Sequence, residues 1–223
     1  MSSHEADIYD DEAAATGWLG PEVAFGLAYA HVEPGQAVLD LGIGTGLGSQ
    51  LFRRAGLRVR GMDASPQMLQ ACRRKGFDDL TRHDLGDRPY PFATASVDHA
   101  VCLGVLHFFA DPSPVFQEVA RIVREGGVFV FTVAHRAEDE PPEFTVEAEF
   151  THTGAPMTLW RHAAGEVRSW LAASGFLPLH ELIFTTYMDR ERRRPFPGRI
   201  WLARRTPVGE ARRPEPAGAP RGR

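Results

Sequence analysis

The sequence predicts an α/β fold: a doubly wound, mostly parallel sheet with helices on both faces. Three observations carry this. Short β-rich runs alternate with amphipathic helical stretches between about 34 and 134, a rhythm that requires right-handed crossovers. The first run, AVLDL (37–41), is apolar up to and around its aspartate, as in a strand covered on both faces. It then breaks into alternating glycines, LGIGTGLGS (41–49), where a strand gives way to a helix.

The elements follow in order. MSSHEADIYDDEAAA is an acidic, polar leader without the basic-then-apolar pattern of a signal segment. PEVAFGLAYAHV (21–32) reads as a helix with Pro21 in its first turn, stopping before Pro34-Gly35. After strand 37–41 and the glycine turn, SQLFRRAG carries the next helix, LRVRGMD (57–63) a second strand, and QMLQACRRKG (67–76) a helix entered through Ser65-Pro66 and closed by Gly76. A third strand ends near His83-Asp84. SVDHAVCLGVL (96–106) is a strand entering a loop, DPSPVFQEVARIVRE (111–125) a helix, and GGVFVFTVA (126–134) a strand.

The rhythm then changes. AEDEPP (137–142) is a loop, and the alternating stretches 143–151 and 157–162 suit a hairpin, packed on the domain or on a partner subunit. A helix over 164–175 precedes strands at 176–189 and 198–205, joined by the basic turn RERRRPFP. A Pro-, Gly- and Arg-rich tail (206–223) reads as disordered. The organisation expected is one domain over 1–205: a cover and helix (1–33), a core (34–134), an inserted lid (135–163), and a closing helix and hairpin (164–205).

Charge and composition narrow the partners. A net charge of −4 gives no global attraction to nucleic acid or anionic lipid, and RERRR (190–194) reads as a solvated turn. A small-molecule partner is therefore favoured over nucleic acid, and no apolar run approaches the ~20 residues that span a bilayer. Cys72 and Cys102 fit no metal or CxxC spacing, which points to a reducing, cytoplasmic setting and to no zinc site.

The glycines and a downstream carboxylate belong together. Gly42, Gly44 and Gly46 permit positive φ and remove β-carbons, so a ligand can approach the backbone beside a helix start. Asp63 ends the second strand, where a carboxylate can accept hydrogen bonds from both ribose hydroxyls; on its own it could instead cap the next helix, a task for which Ser65 is better placed. Glycine loop and acid together indicate an adenosine ligand.

At this point the stretch from about 34 to 134 resembles the class I S-adenosylmethionine-dependent methyltransferases. VLDLGIGTG is similar to their first motif, GMDASPQML to their acidic second, HDL to their third, and SVDHAVCLGVLHFF with GGVFVF to their fourth and fifth. The resemblance implies a seven-stranded Rossmann-like sheet with an antiparallel C-terminal strand, closed by the segments 178–188 and 199–204. It implies S-adenosyl-L-methionine as cofactor and S-adenosyl-L-homocysteine as product. Gly42, Gly44 and Gly46 would line the methionine and ribose portions, Asp40 would face the amino group, and Asp63 would hold the ribose. Asp84 would meet the adenine amino group, with Met62, Ala64 and Leu85 flanking the ring, and Met68 is a further cofactor-binding candidate. Cys102, Leu103 and Gly104 would lie beneath the methionine moiety, and Tyr9 and Trp18 would cover the cofactor or pack on the sheet.

Methyl transfer from a sulfonium is an in-line displacement, so alignment and exclusion of water supply much of the acceleration. An acceptor that must lose a proton needs a base, and His107, just past the fourth strand, is the candidate; local packing is its other reading. His135, His152, Trp160, His162 and Tyr187 lie in or near the insert and the closing strands and are acceptor-pocket candidates. Two other functions fit the same loop: a regulator that binds the sulfur nucleoside without turnover, and an NAD-dependent oxidoreductase, for which Gly44, Gly46 and Ser49 approximate GxGxxG. The latter would need a second nucleotide-binding half after residue 110, where the sequence has an insert, a helix and closing strands. A homodimer is compatible with the hairpin.

Overall fold

The computed structural model describes residues 3–146, 155–188 and 194–207, with the backbone alone for 3–7. His152, residues 147–151 of the first hairpin stretch, residues 190–193 of the basic turn and the tail from 208 lie outside the described residues.

Seven strands form the doubly wound sheet. They are β1 (Ala37–Leu41), β2 (Arg58–Asp63), β3 (Asp79–Arg82), β4 (His99–Cys102), β5 (Val128–His135), β8 (Phe176–Met188) and β9 (Pro195–Arg205), with β6 (Glu143–Val146) and β7 (Met157–His162) as an added hairpin. Their spatial order is β3-β2-β1-β4-β5-β9-β8. β1 to β5 run parallel and β9 is reversed, pairing antiparallel with β5 through Val128↔Arg204 to Ala134↔Gly198. The expected fold class is therefore observed, including its reversed last strand.

Period-two alternation divides the core. Phe129 and Phe131 of β5 pack on one face with Phe116, Trp201 and Trp170, while Val128 and Val130 face the other side with Val101, Ile200, Ala24 and Phe52. The Phe116–Phe131 rings meet edge to face at 4.9 Å, a contact of about 0.5–1.5 kcal/mol beyond its buried area.

The helices are α1 (Ser3–Thr16), α2 (Gly20–Ala28), α3 (Gln50–Arg54), α4 (Pro66–Arg74), α5 (Ser113–Ile122) and α6 (Ala164–Ala173). Local chemistry explains their starts. Ser65 Oγ accepts from Met68 N at 3.3 Å ahead of Pro66, Asp111 Oδ1 accepts from Ser113 N at 2.9 Å, and Glu166 Oε2 accepts from Ala163 N at 2.8 Å.

The structure refines three expectations. The leader is a helix, α1: its alanines favour the interior, and Gly17 at φ +68° ends it. The stretch 96–106, expected as a strand entering a loop, is strand over His99–Cys102, and the loop holds Gly104 at φ +68° and a 3-10 turn over Leu106–Phe108. The insert is more than a separate hairpin: β7 joins β5 in parallel through Ala134↔Arg161 and His135↔His162, seating it on the turn after β4.

Candidate active site

The carboxyl ends of β1, β2 and β4 converge on a small cleft. It is lined by Asp40, Gly42, Ile43, Gly44, Thr45, Leu47, Gly48, Leu103, Tyr9 and Trp18, and about 20 Å³ remains between them. That is room for about one water.

The glycine loop differs from residue to residue in what it needs. Gly46 has φ +86°, and a β-carbon there would lie 2.5 Å from the Phe77 ring and 3.0 Å from Cys72 Sγ. Its smallness serves packing of the loop on α4. Gly44, at φ +55°, would place a β-carbon within 4 Å of nothing, so this glycine faces the open side from which a ligand arrives. Gly46→Ala is expected to destabilise the protein by about 1–3 kcal/mol, since Phe77 is itself buried and positive φ adds strain. Thermal unfolding should show the midpoint falling by roughly 3–10 °C.

Asp63 organises the loop. Its Oδ2 accepts from Gly44 N at 2.9 Å and its Oδ1 from Ser65 N at 2.8 Å, which fixes the carboxylate and leaves each oxygen a lone pair for a second donor. Burial raises its pKa, and the Ser65 and Gly44 bonds oppose the rise. Asp40 is 3% exposed and accepts from Ser49 Oγ at 2.5 Å. Burial pushes its pKa to about 7, with Ser49 pulling down and Asp63 adding to the rise. Asp40 thus lines the cleft and Asp63 holds the loop at Gly44 beside it, carboxylates suited to a cationic amine and to a diol.

The remaining expected residues divide. Leu103 and Trp18 line the cleft. Gly104 flanks it and is tied to β5 by its N–H to Thr132 Oγ1 at 2.9 Å. Cys102 is fully buried and its thiol pKa lies well above the usual value, so only its backbone is available. Met68 packs with Ala71 against Tyr9. Met62 and Leu85 pack in the main core. Asp84 is exposed, and its Oδ1 closes a local turn by accepting from Gly86 N at 2.8 Å. Ala64 is exposed, and its carbonyl accepts from Arg82 Nε at 3.3 Å.

The histidines are drawn elsewhere. His107, on the 3-10 turn after β4, is outside the cleft lining and packs on Phe108 with centroids 4.4 Å apart. Burial lowers its pKa to about 4, with His162 adding to the shift. The ring is neutral at pH 7 and a weaker base than an ordinary histidine. His162 is 2% exposed, approaches the Leu106 carbonyl at 3.3 Å and meets Trp170 edge to face at 5.1 Å. These contacts seat the hairpin on the turn after β4. His135 contacts Arg199 Nη2 through Nδ1 at 3.1 Å, and Trp160 is half-buried on β7. Tyr187 stacks on Phe196 at 4.5 Å and lies close enough to Tyr9 to influence its titration.

Sequence reasoning missed Thr45, whose hydroxyl donates to Asp10 Oδ1 at 2.6 Å, and Thr132. A hydroxyl residue framed by two functional glycines was a legible signal for the first; the second is defined only by its contact across the sheet. Among the described residues no group of His, Cys, Asp and Glu is arranged to hold a metal ion, and no helix is long and apolar enough to cross a membrane.

The reversed last strand, the glycine loop and the acid at the end of β2 define a Rossmann-like domain of the methyltransferase type. Residues 39–131 match a family described as methyltransferase domain, and this core is similar to those of S-adenosylmethionine-dependent methyltransferases. It is 35% identical over 130 residues to an uncharacterised chloroplastic methyltransferase of Arabidopsis thaliana, covering 52% of this chain and 36% of that protein. It is 33% identical over 131 residues to the malonyl-[acyl-carrier protein] O-methyltransferase of Serratia marcescens, covering 58% and 49%. The matched segments thus span between about a third and a half of these relatives' own length. Among solved structures, a chain from the Haloferax volcanii complex of the Trm112 methyltransferase activator with a putative methyltransferase superposes with a TM-score of 0.70 at 25% identity, covering 91% of this chain and 95% of that one.

Proposed function

We propose that the protein transfers the methyl group of S-adenosyl-L-methionine to a small-molecule acceptor by in-line displacement. The observation that carries the reading is the Asp63 carboxylate, held by the Gly44 and Ser65 amides beside the open face of the glycine loop. Its free lone pairs suit the ribose hydroxyls, and buried Asp40 suits the amino group of the methionine portion. The cofactor, when bound, supplies an electrophilic methyl on sulfur. The chain orients it and keeps water out: Leu103 and Gly104 floor the methionine end, and Trp18 closes over Gly104, 3.8 Å from where its β-carbon would stand.

The acceptor is read as small because the insert is compact and the overall charge is negative. The Serratia relative is named for a malonyl group presented on a carrier protein, which is compatible with a small reacting group. Trp160 on the hairpin and Tyr187 at the end of β8 are the nearest candidates for its pocket, and His107 serves as base only for an acceptor acidic enough to yield its proton to a weak one. Two buried, unpaired thiols support a reducing compartment. A homodimer would use β8, which pairs with β9 alone among the described residues and exposes Leu177, Leu182 and Ile183; sedimentation velocity would show a dimer that Ile183→Lys disperses.

The test is calorimetric titration with S-adenosylmethionine, S-adenosylhomocysteine and NAD, followed by methyl incorporation across a panel of small hydroxyl, amine and thiol acceptors. Binding of both sulfur nucleosides and not NAD, with a methylated product, is expected. Binding without any product would favour a regulator, and binding of NAD alone would replace methyl transfer by hydride transfer.

A further inference from the structure

The loop after β3 is braced from α5 through Tyr90. This residue is 2% exposed, and its hydroxyl donates to the Leu85 carbonyl at 3.0 Å. Burial raises its pKa, so the hydroxyl keeps its proton and remains a donor. The ring meets His83 edge to face at 5.6 Å. His83 donates its backbone N–H to the Asp63 carbonyl at 3.0 Å, and its Nε2 lies 2.9 Å from the Asp87 carbonyl. Within this frame Asp84 closes its turn twice: its carbonyl accepts from Asp87 N at 3.0 Å and its Oδ1 from Gly86 N at 2.8 Å. Its Oδ2 accepts from no group among the described residues.

Tyr90 is itself fixed by its backbone. Its N–H donates to Glu118 Oε2 at 2.7 Å, its carbonyl accepts from Arg121 Nη2 at 3.1 Å, and Arg121 Nη1 donates to the Phe92 carbonyl at 2.7 Å. Glu118 and Arg121 are joined to each other by two bonds of 2.9 and 2.6 Å, a bidentate charge-assisted pair. Packing in the core would be served by a phenylalanine; the hydroxyl spends its proton on the residue next to Asp84. We propose that Tyr90 is a positioning residue for the adenine end of the cofactor: by holding the Leu85 carbonyl it keeps the Asp84 carboxylate in the orientation that receives the purine 6-amino group. The inference rests on reading the cleft as the S-adenosylmethionine site, with Asp84 at the amino group as the family resemblance implies. Without the hydroxyl bond the turn samples other orientations. A ligand that uses Asp84 then binds with its intrinsic dissociation constant divided by the fraction of molecules in the competent one, and a ligand that does not use Asp84 is spared that factor.

Calorimetry on the full chain compares S-adenosylhomocysteine with its analogue carrying hydrogen in place of the purine 6-amino group. The wild type should prefer S-adenosylhomocysteine by about tenfold, the effect of one bond to a charged group. Tyr90→Phe keeps the ring and its packing, and should weaken S-adenosylhomocysteine about three- to tenfold while changing the analogue less than about twofold. Arg121→Lys, whose single ammonium cannot hold Glu118 and both carbonyls together, should shift the preference in the same direction, and it carries the comparison if Tyr90→Phe does not fold. Asp84→Ala should lose the preference, and adding Tyr90→Phe to it should change nothing further. Equal weakening of both ligands by Tyr90→Phe would make the tyrosine a purely structural residue and would overturn the proposal. So would unchanged affinity, a wild type without preference, or an undiminished effect of Tyr90→Phe beside Asp84→Ala. If the wild type binds neither ligand, the cofactor reading itself fails and the proposal falls with it, an outcome distinct from a tyrosine that does not position Asp84.

Discussion

Asp63→Ala should abolish measurable binding of S-adenosylhomocysteine, weakening it at least about 100-fold. The carboxylate makes two charge-assisted bonds to the Gly44 and Ser65 amides, and two more are expected to the ribose. Bonds to a charged group contribute about 1.5–3 kcal/mol each, so losing the ribose pair alone accounts for about two powers of ten or more. The alanine also leaves two amides without their acceptor, so the loop would be displaced as well as the ligand. Asp63→Asn separates these effects. Its single carbonyl oxygen can serve one amide, and it should fold with nearly wild-type cooperativity while binding at least about tenfold more weakly. The titration is interpretable provided circular dichroism shows each variant folded. Wild-type affinity in the alanine variant would remove Asp63 from the site and with it the central support for the cofactor.

The second large effect is pH dependence set by Asp40. Burial raises its carboxyl to about 7, so near neutrality it is only partly ionised. A cationic amino group bound against it favours the charged form and lowers that pKa in the complex. Binding then releases a proton, and affinity rises with pH up to about 7 and levels above it. Between pH 8 and pH 6 the dissociation constant should increase about tenfold, one power of ten per pH unit below the free-state pKa. Asp40→Asn should bind more weakly at pH 8 and show a flat profile. Ser49→Ala removes the bond that holds the carboxyl down, so the profile should move to higher pH. The same group acts on folding with the opposite sense. Its folded pKa lies above its unfolded value, so the protein loses stability as pH rises from about 4 towards 7. A carboxylate that costs stability when ionised, yet sits where an ammonium would neutralise it, is what a binding site requires.

The pattern of burial explains why the base assignment weakened while the cofactor assignment gained support. His107 stands where an acceptor would approach, but β7 lays buried His162 beside its half-buried ring, and both lose basicity by desolvation. Sequence position identified the strand end; only the packing of the insert decided the histidine's basicity. An acceptor already acidic, or an amine arriving neutral, suits a site with so weak a base, and the acceptor panel should begin there.

Much of the fold was legible because its signals are local. The apolar run 37–41 became β1 residue for residue, Ser65-Pro66 started α4, and the glycines at 42, 44 and 46 all take positive φ. Asp63 followed from its place at the end of β2 and Asp40 from the resemblance of VLDLGIGTG to the family's first motif; a parallel sheet brings the ends of β1 and β2 together by register, Asp40 lying opposite Gly61 and Leu41 opposite Met62. What the sequence alone did not decide depends on contacts between distant segments. Asp10 meets Thr45 across 35 residues and Lys75 across 65, Gly104 finds Thr132 across 28, and His162 finds Leu106 across 56. The order of elements and the carboxylates of the cleft come from periodicity, turn conformation and register, which each short segment carries by itself. Whether α1 lies in the cleft, and which histidines keep a usable proton affinity, comes from docking free energies and desolvation, which exist only once the segments have met.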